Sequence, residues 1–289
     1  MKAPPPSPPP PLPEPRSERG AASWRPWTAW VALISGFGAT AVAGVFVAII
    51  VVLTSGSSTT EDFSPGVNLG LTLFQNAALL GAAFLFARIS GGRPSAEDFG
   101  FVKPRLGRAI GLLVVVWLSF LAISAIWALA LHLDERQELP DRLGAGESLA
   151  NTLLVVFLIT IVAPLGEELF FRGYFFRALK NWRGVVPAAI LTGVVFGAIH
   201  LGSSPPAFTV PLAVFGVGLC LLYHWTGSLY PSIALHALNN SVALGVALHW
   251  SWEVPVTMVG SVAVTLTIAW SIGRLLGHRQ AARWPAAAT

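Results

Sequence analysis

The stretch TLLVVFLITIVAPLGEELFFRGYFF, residues 152–176, decides how this chain is read. It is long and apolar enough for a membrane helix, yet Glu167 and Glu168 stand side by side in it, with Arg172 four residues after Glu168. An ionised carboxylate at mid-bilayer costs roughly 2.5–3.5 kcal/mol on the mildest insertion scale. Two in succession are poorly explained as packing. Acidic residues in a membrane segment line a cavity, hold a partner or do chemistry.

The rest of the chain sets that stretch among others like it. Only 11% of the 289 residues are Asp, Glu, Lys or Arg, against about 25% in an ordinary soluble domain. The mean hydropathy is +0.66. The composition therefore describes an all-α, polytopic integral membrane protein, not a soluble protein with one anchor. Its partner is the lipid bilayer, and the net charge of +4 reflects basic loops facing anionic lipid rather than a nucleic-acid surface. One cysteine, Cys220, excludes an intramolecular disulfide and a cysteine-rich metal cluster.

Apolar runs of about 20 residues, the length needed to cross hydrocarbon, place eight spans near 28–53, 68–89, 109–133, 149–179, 186–202, 207–225, 229–249 and 254–276. The expected organisation is a proline-rich disordered tail over 1–24, a three-helix membrane region over 25–148, a catalytic core over 149–249, a last helix over 250–278 and a short tail over 279–289. Pro164 interrupts the fourth span and should kink it just before the glutamates. With the N-terminus inside, 16 of the 18 Lys and Arg residues fall in inner segments; only Arg136 and Arg142 fall outside, in the acidic loop LDERQELPDRLGAGES. The positive-inside rule then places both termini in the cytoplasm, in a bacterial inner (plasma) membrane.

Spacing points to a partner for Glu167. Glu167 lies 16 residues before Arg183 and His200 lies 16 residues after Gly184. A helical hairpin turning at 183–184 brings them to one depth, which the reading places toward the cytoplasmic side. His236 and Asn240, four apart, share one face of the span that starts near Leu229, as Phe196 and His200 share one face of theirs. A carboxylate beside an imidazole activates water, and a second His with an Asn can donate to a developing oxyanion. Glu168 and Arg172 have the spacing of an i,i+4 ion pair. The same set admits a metal: Glu167, His200 and His236 offer zinc-type ligands with room for water, although HExxH is absent. The sequence does not separate direct from metal-assisted activation of water, and the cofactor stays open between zinc and none.

The runs EELFFR (Glu167, Glu168, Arg172), FGAIH (Phe196, His200) and HALNN (His236, Asn240) resemble, in order, the three motifs of the CAAX-protease and bacteriocin-processing family. This family, also called CPBP or Abi, comprises intramembrane proteases related to the prenyl-protein endopeptidase of eukaryotes. The resemblance covers residues 149–249. It implies an endopeptidase of a membrane-associated peptide or protein, with Glu167 and His200 activating water, His236 and Asn240 stabilising the oxyanion, and Glu168, Arg172 and Phe196 supporting the site. The family is often described as metal-dependent and is also read as a glutamate protease. HALNN leaves Asn239 beside Asn240, and helical spacing from His236 favours Asn240.

Structural readings compete. One glutamate suffices to pair Arg172, so structure is expected of Glu168 and function of Glu167. Gln75 and Asn76 suit interhelical hydrogen bonding. Phe170, Phe171, Phe175 and Phe176 suit packing, and Gly193 and Gly197 suit close helix approach. Two other functions share the composition: an ion- or proton-coupled transporter with Glu167 as relay, which lacks a second glutamate-bearing repeat, and a non-catalytic immunity or scaffold protein.

Overall fold

A computed structural model describes residues 24–55, 63–133 and 137–277. The tail 1–23 of the proline-rich segment and the tail 279–289 lie outside the described residues. The described chain is helical. It comprises α1 (Pro26–Ser55), α2 (Pro65–Gly91), α3 (Ala96–Phe99), α4 (Leu106–Leu131), α5 (Leu139–Arg142), α6 (Leu149–Arg183), α7 (Val185–Ala198), α8 (Thr209–Thr226), α9 (Leu229–Ala247) and α10 (Glu253–Leu276).

Among the described residues six helices are long and apolar enough to cross a membrane: α1, α2, α4, α6, α8 and α10. The chain is thus an integral, multi-pass membrane protein. Two of the eight expected spans fall short of that standard for physical reasons. α7 has 14 residues, about 21 Å at 1.5 Å per residue, against roughly 30 Å of hydrocarbon. α9 has 19 residues but carries Ser232, His236, Asn239, Asn240 and Ser241. These two helices hold the expected site histidines.

α6 runs for 35 residues but is not one regular helix. Leu158–Val162 and Leu169–Phe176 are wound as π-helix, and six α-helical residues, Ala163–Glu168, separate them. Pro164 explains the first departure. It brings no N–H to the ladder and its ring crowds the preceding turn. In the wider register Ala163 N–H bonds to Leu158 O, and the donor due to Ile159 O would be the missing N–H of Pro164. Asn240 Nδ2 of α9 supplies it instead, at 2.9 Å. One residue on, the Ser261 hydroxyl of α10 donates to Thr160 Oγ1 at 2.6 Å. Neighbouring helices thus stabilise the bulge.

α7 and α8 form a hairpin whose backbones nearly touch. A Cβ on Gly193 would sit 2.6 Å from Ala213 O, and one on Gly197 2.5 Å from Thr209 O. Only glycine permits that approach, which is the close packing expected of the pair.

Hydrogen bonds and ring contacts tie the connecting segments into two ends. At one, the basic end, Ala96 N–H bonds to Gly277 O, Leu229 N–H to Gly100 O, and Arg177 Nη1 to Glu97 O. Trp24, ahead of α1, packs on Phe99 and Tyr174 there. At the other, the acidic end, Arg142 Nη1 donates to Gly202 O, Asn68 Nδ2 to Arg142 O, and Trp127 Nε1 to Ala207 O.

Candidate active site

Glu167 and Glu168 are adjacent on α6 and face different surroundings. The Glu168 side chain is 0% exposed. Its Oε1 accepts from Arg172 Nη1 at 2.6 Å and from His236 Nδ1 at 2.8 Å. Arg172 is equally buried, donates Nη2 to Gly216 O at 3.0 Å, and lies over the Phe196 ring with its guanidinium carbon 4.6 Å from the centroid. A buried charge of this kind is tolerable only when paired and hydrogen-bonded, and this one is both. The i,i+4 pair expected from sequence is present. The bond to His236, 68 residues away, was not foreseeable from local spacing.

The Glu167 side chain keeps 15% exposure and lines a cavity of about 600 Å³. Among the described residues its Oε2 has no hydrogen-bond partner; His236 Nε2 stands 3.9 Å from it. Phe196, His200, His236, Asn239 and Asn240 line the same cavity. The residues singled out by sequence are therefore brought together, with Glu168 and Arg172 beneath the cavity wall. His132, His224 and His249 do not line it.

Each imidazole is held by one nitrogen. His200 Nδ1 is 2.7 Å from Phe196 O. A carbonyl only accepts, so Nδ1 carries the proton and Nε2 of the neutral ring is left as an acceptor. His236 is held through Nδ1 by Glu168, which leaves Nε2 facing Glu167. Phe196 is the hub: its carbonyl fixes His200, and its ring packs against His200, His236 and the Arg172 guanidinium.

The expectation for Gln75 and Asn76 needs correction. Both line the cavity. Asn76 is buried, donates Nδ2 to Thr72 O of its own helix, and leaves Oδ1 without a partner among the described residues. A Cβ on Gly166 would lie 2.7 Å from that oxygen, so the glycine before Glu167 lets α2 reach the site. Period and composition alone do not distinguish a cavity-lining amide from one that bonds between helices.

The cavity reaches the acidic end, where Gln137, Leu139, Leu201 and Gly202 line it. Toward the basic end the eight residues Leu169–Phe176 are all buried. The phenylalanines there pack, as expected, and close the site on that side.

For a metal, the donor set must converge. Among the described residues no three His, Cys, Asp or Glu side chains are grouped so as to hold an ion. Glu167, His200 and His236 as placed do not fit the zinc set.

The chain is an all-helical membrane protein with carboxylates, imidazoles and amides gathered around one recess of about 600 Å³. Residues 149–242, the segment that holds all three motifs, match the family model Rce1-like, type II CAAX prenyl endopeptidase Rce1-like. No curated protein and no solved structure matches the chain.

Proposed function

We propose that the protein is an intramembrane endopeptidase that hydrolyses a peptide bond of a membrane-associated peptide or protein. The observation that carries this reading is a partly exposed Glu167 side chain and two oriented imidazoles lining one cavity, within a segment that matches a protease family.

Glu167, with no competing hydrogen bond on Oε2, takes a proton from water, and His200 Nε2 accepts the water's second hydrogen bond and orients it. The hydroxide attacks the carbonyl carbon, and the C=O pair moves onto oxygen. His236, held through Nδ1 by Glu168, turns Nε2 toward the cavity, where an Nε2–H donates to that oxyanion. Asn240 has spent one amide N–H on Ile159 O; the other is left to reach the oxyanion. On collapse the C–N bond breaks and the proton held by Glu167 passes to the leaving amine. Glu168 and Arg172 are positioning residues that act through His236.

The test compares chain termini in membrane fractions of cells expressing wild type, Glu167→Gln or His200→Ala at equal levels. Termini present only with wild type are expected. The same termini in either variant would overturn the assignment.

A further inference from the structure

The site is walled at one end of the molecule and open at the other, and the two ends differ in charge. The basic end gathers Arg93, Lys103, Arg105, Arg177 and Arg183. The connection at the open end, residues 133–148, carries Asp134, Glu135, Glu138, Asp141 and Glu147 against Arg136 and Arg142. Basic connections mark the cytoplasmic side of a membrane protein.

We propose that the cavity is entered from the extracytoplasmic face, so that the substrate is a membrane-associated peptide presented on that side rather than a cytosolic lipidated tail. This rests on the hydrolase reading given above and adds the side of access.

Three observations carry it. First, the cavity lining includes Gln137, Leu139, Pro140 and the turn 201–204, all at the acidic end. Second, the path from Glu168 to the basic end is filled by Leu169–Phe176, every residue buried. Phe171 meets Phe175 and Phe196 edge-on, and Arg172 is capped by Phe196. A peptide coming from the basic end would have to displace this aromatic wall and the buried Glu168–Arg172 pair. Third, α7 starts at the basic end and stops after 14 residues. At about 21 Å it ends short of the far side of a roughly 30 Å core. The turn Ile199–Ser204 therefore lies below the far surface. Irregular backbone at that depth is tolerated where it lines a water-filled cavity, and this turn does line one.

The test is cysteine accessibility in the full-length protein, with a membrane-impermeant methanethiosulfonate as the probe. Native Cys220 is fully buried and supplies the unlabelled background. Gln75→Cys lies inside the cavity, Ser203→Cys at its mouth, and Arg183→Cys at the exposed basic end. In sealed right-side-out membranes Gln75→Cys and Ser203→Cys are expected to label, and Arg183→Cys to label only in inverted vesicles. If Gln75→Cys unfolds, Ser203→Cys against Arg183→Cys still decides the side. Labelling of Gln75→Cys or Ser203→Cys only from inverted vesicles would overturn the proposal. Labelling requires no cleavage, so outward access with no proteolysis would sink the hydrolase reading alone.

Discussion

The two π-wound stretches of α6 lie six residues apart and do opposite things. Leu158–Val162 belongs to the cavity side: Leu158 and Ile159 line the recess, and an amide and a hydroxyl from α9 and α10 fasten the bulge. Leu169–Phe176 belongs to the sealed side, with Arg172 and Tyr174 among its fully buried residues. The α-helical turn between them carries both glutamates. Glu167 faces the recess and Glu168 faces the packed interior, so adjacent residues of one type acquire different work from which bulge they border. π-bulges often occur at functional sites, and for the first a local cause can be named, Pro164.

The comparison breaks first, and most visibly, at the glutamates. Glu167→Gln should lower cleavage by about 10²- to 10⁴-fold, the range of a general base, while leaving the melting temperature of the purified protein near wild type, since Glu167 Oε2 has no hydrogen-bond partner. Removing the cation on the sealed side has the opposite profile. Arg172→Ala leaves Glu168 buried without its cation and should destabilise the fold by about 3–5 kcal/mol, read as a fall in thermal stability in detergent. A variant that melts normally would show that the buried pair does not hold the sealed side together.

Smaller effects probe the first bulge. Asn240→Ala strands Ile159 O and should cost about 1–3 kcal/mol. Adding Pro164→Ala returns an N–H to the ladder and lets the helix rewind. The double variant should therefore recover part of the loss, with a coupling of about 0.5–3 kcal/mol in a double-mutant cycle. Strict additivity would detach Asn240 from the bulge. Gly193→Ala, which forces α7 from α8 at the Ala213 carbonyl, should cost about 1–3 kcal/mol as overpacking, read by the same melts.

Much of this was legible in sequence. The all-helical membrane architecture follows from apolar run length. The Glu168–Arg172 pair follows from i,i+4 geometry, and the gathering of the three motifs from depth matching along antiparallel helices. What was not legible depends on contacts between distant segments. The Glu168–His236 bond needs α9 to turn a particular edge toward α6. The bond from Asn240 to Ile159 exists only because the bulge leaves a carbonyl open. The opening at the acidic end depends on α7 stopping at Ala198, where a turn at His200–Gly202 replaces helix that hydropathy alone would continue. Gln75 and Asn76 look the same in sequence whether they bond across helices or line a recess.

The division of labour between the glutamates is tested most directly by the cleavage rate, per folded molecule in proteoliposomes, of Glu167→Gln against wild type on a membrane peptide that wild type cleaves. The account predicts folded protein with cleavage reduced by about 10²-fold or more. Folded Glu167→Gln that cleaves at the wild-type rate would contradict it.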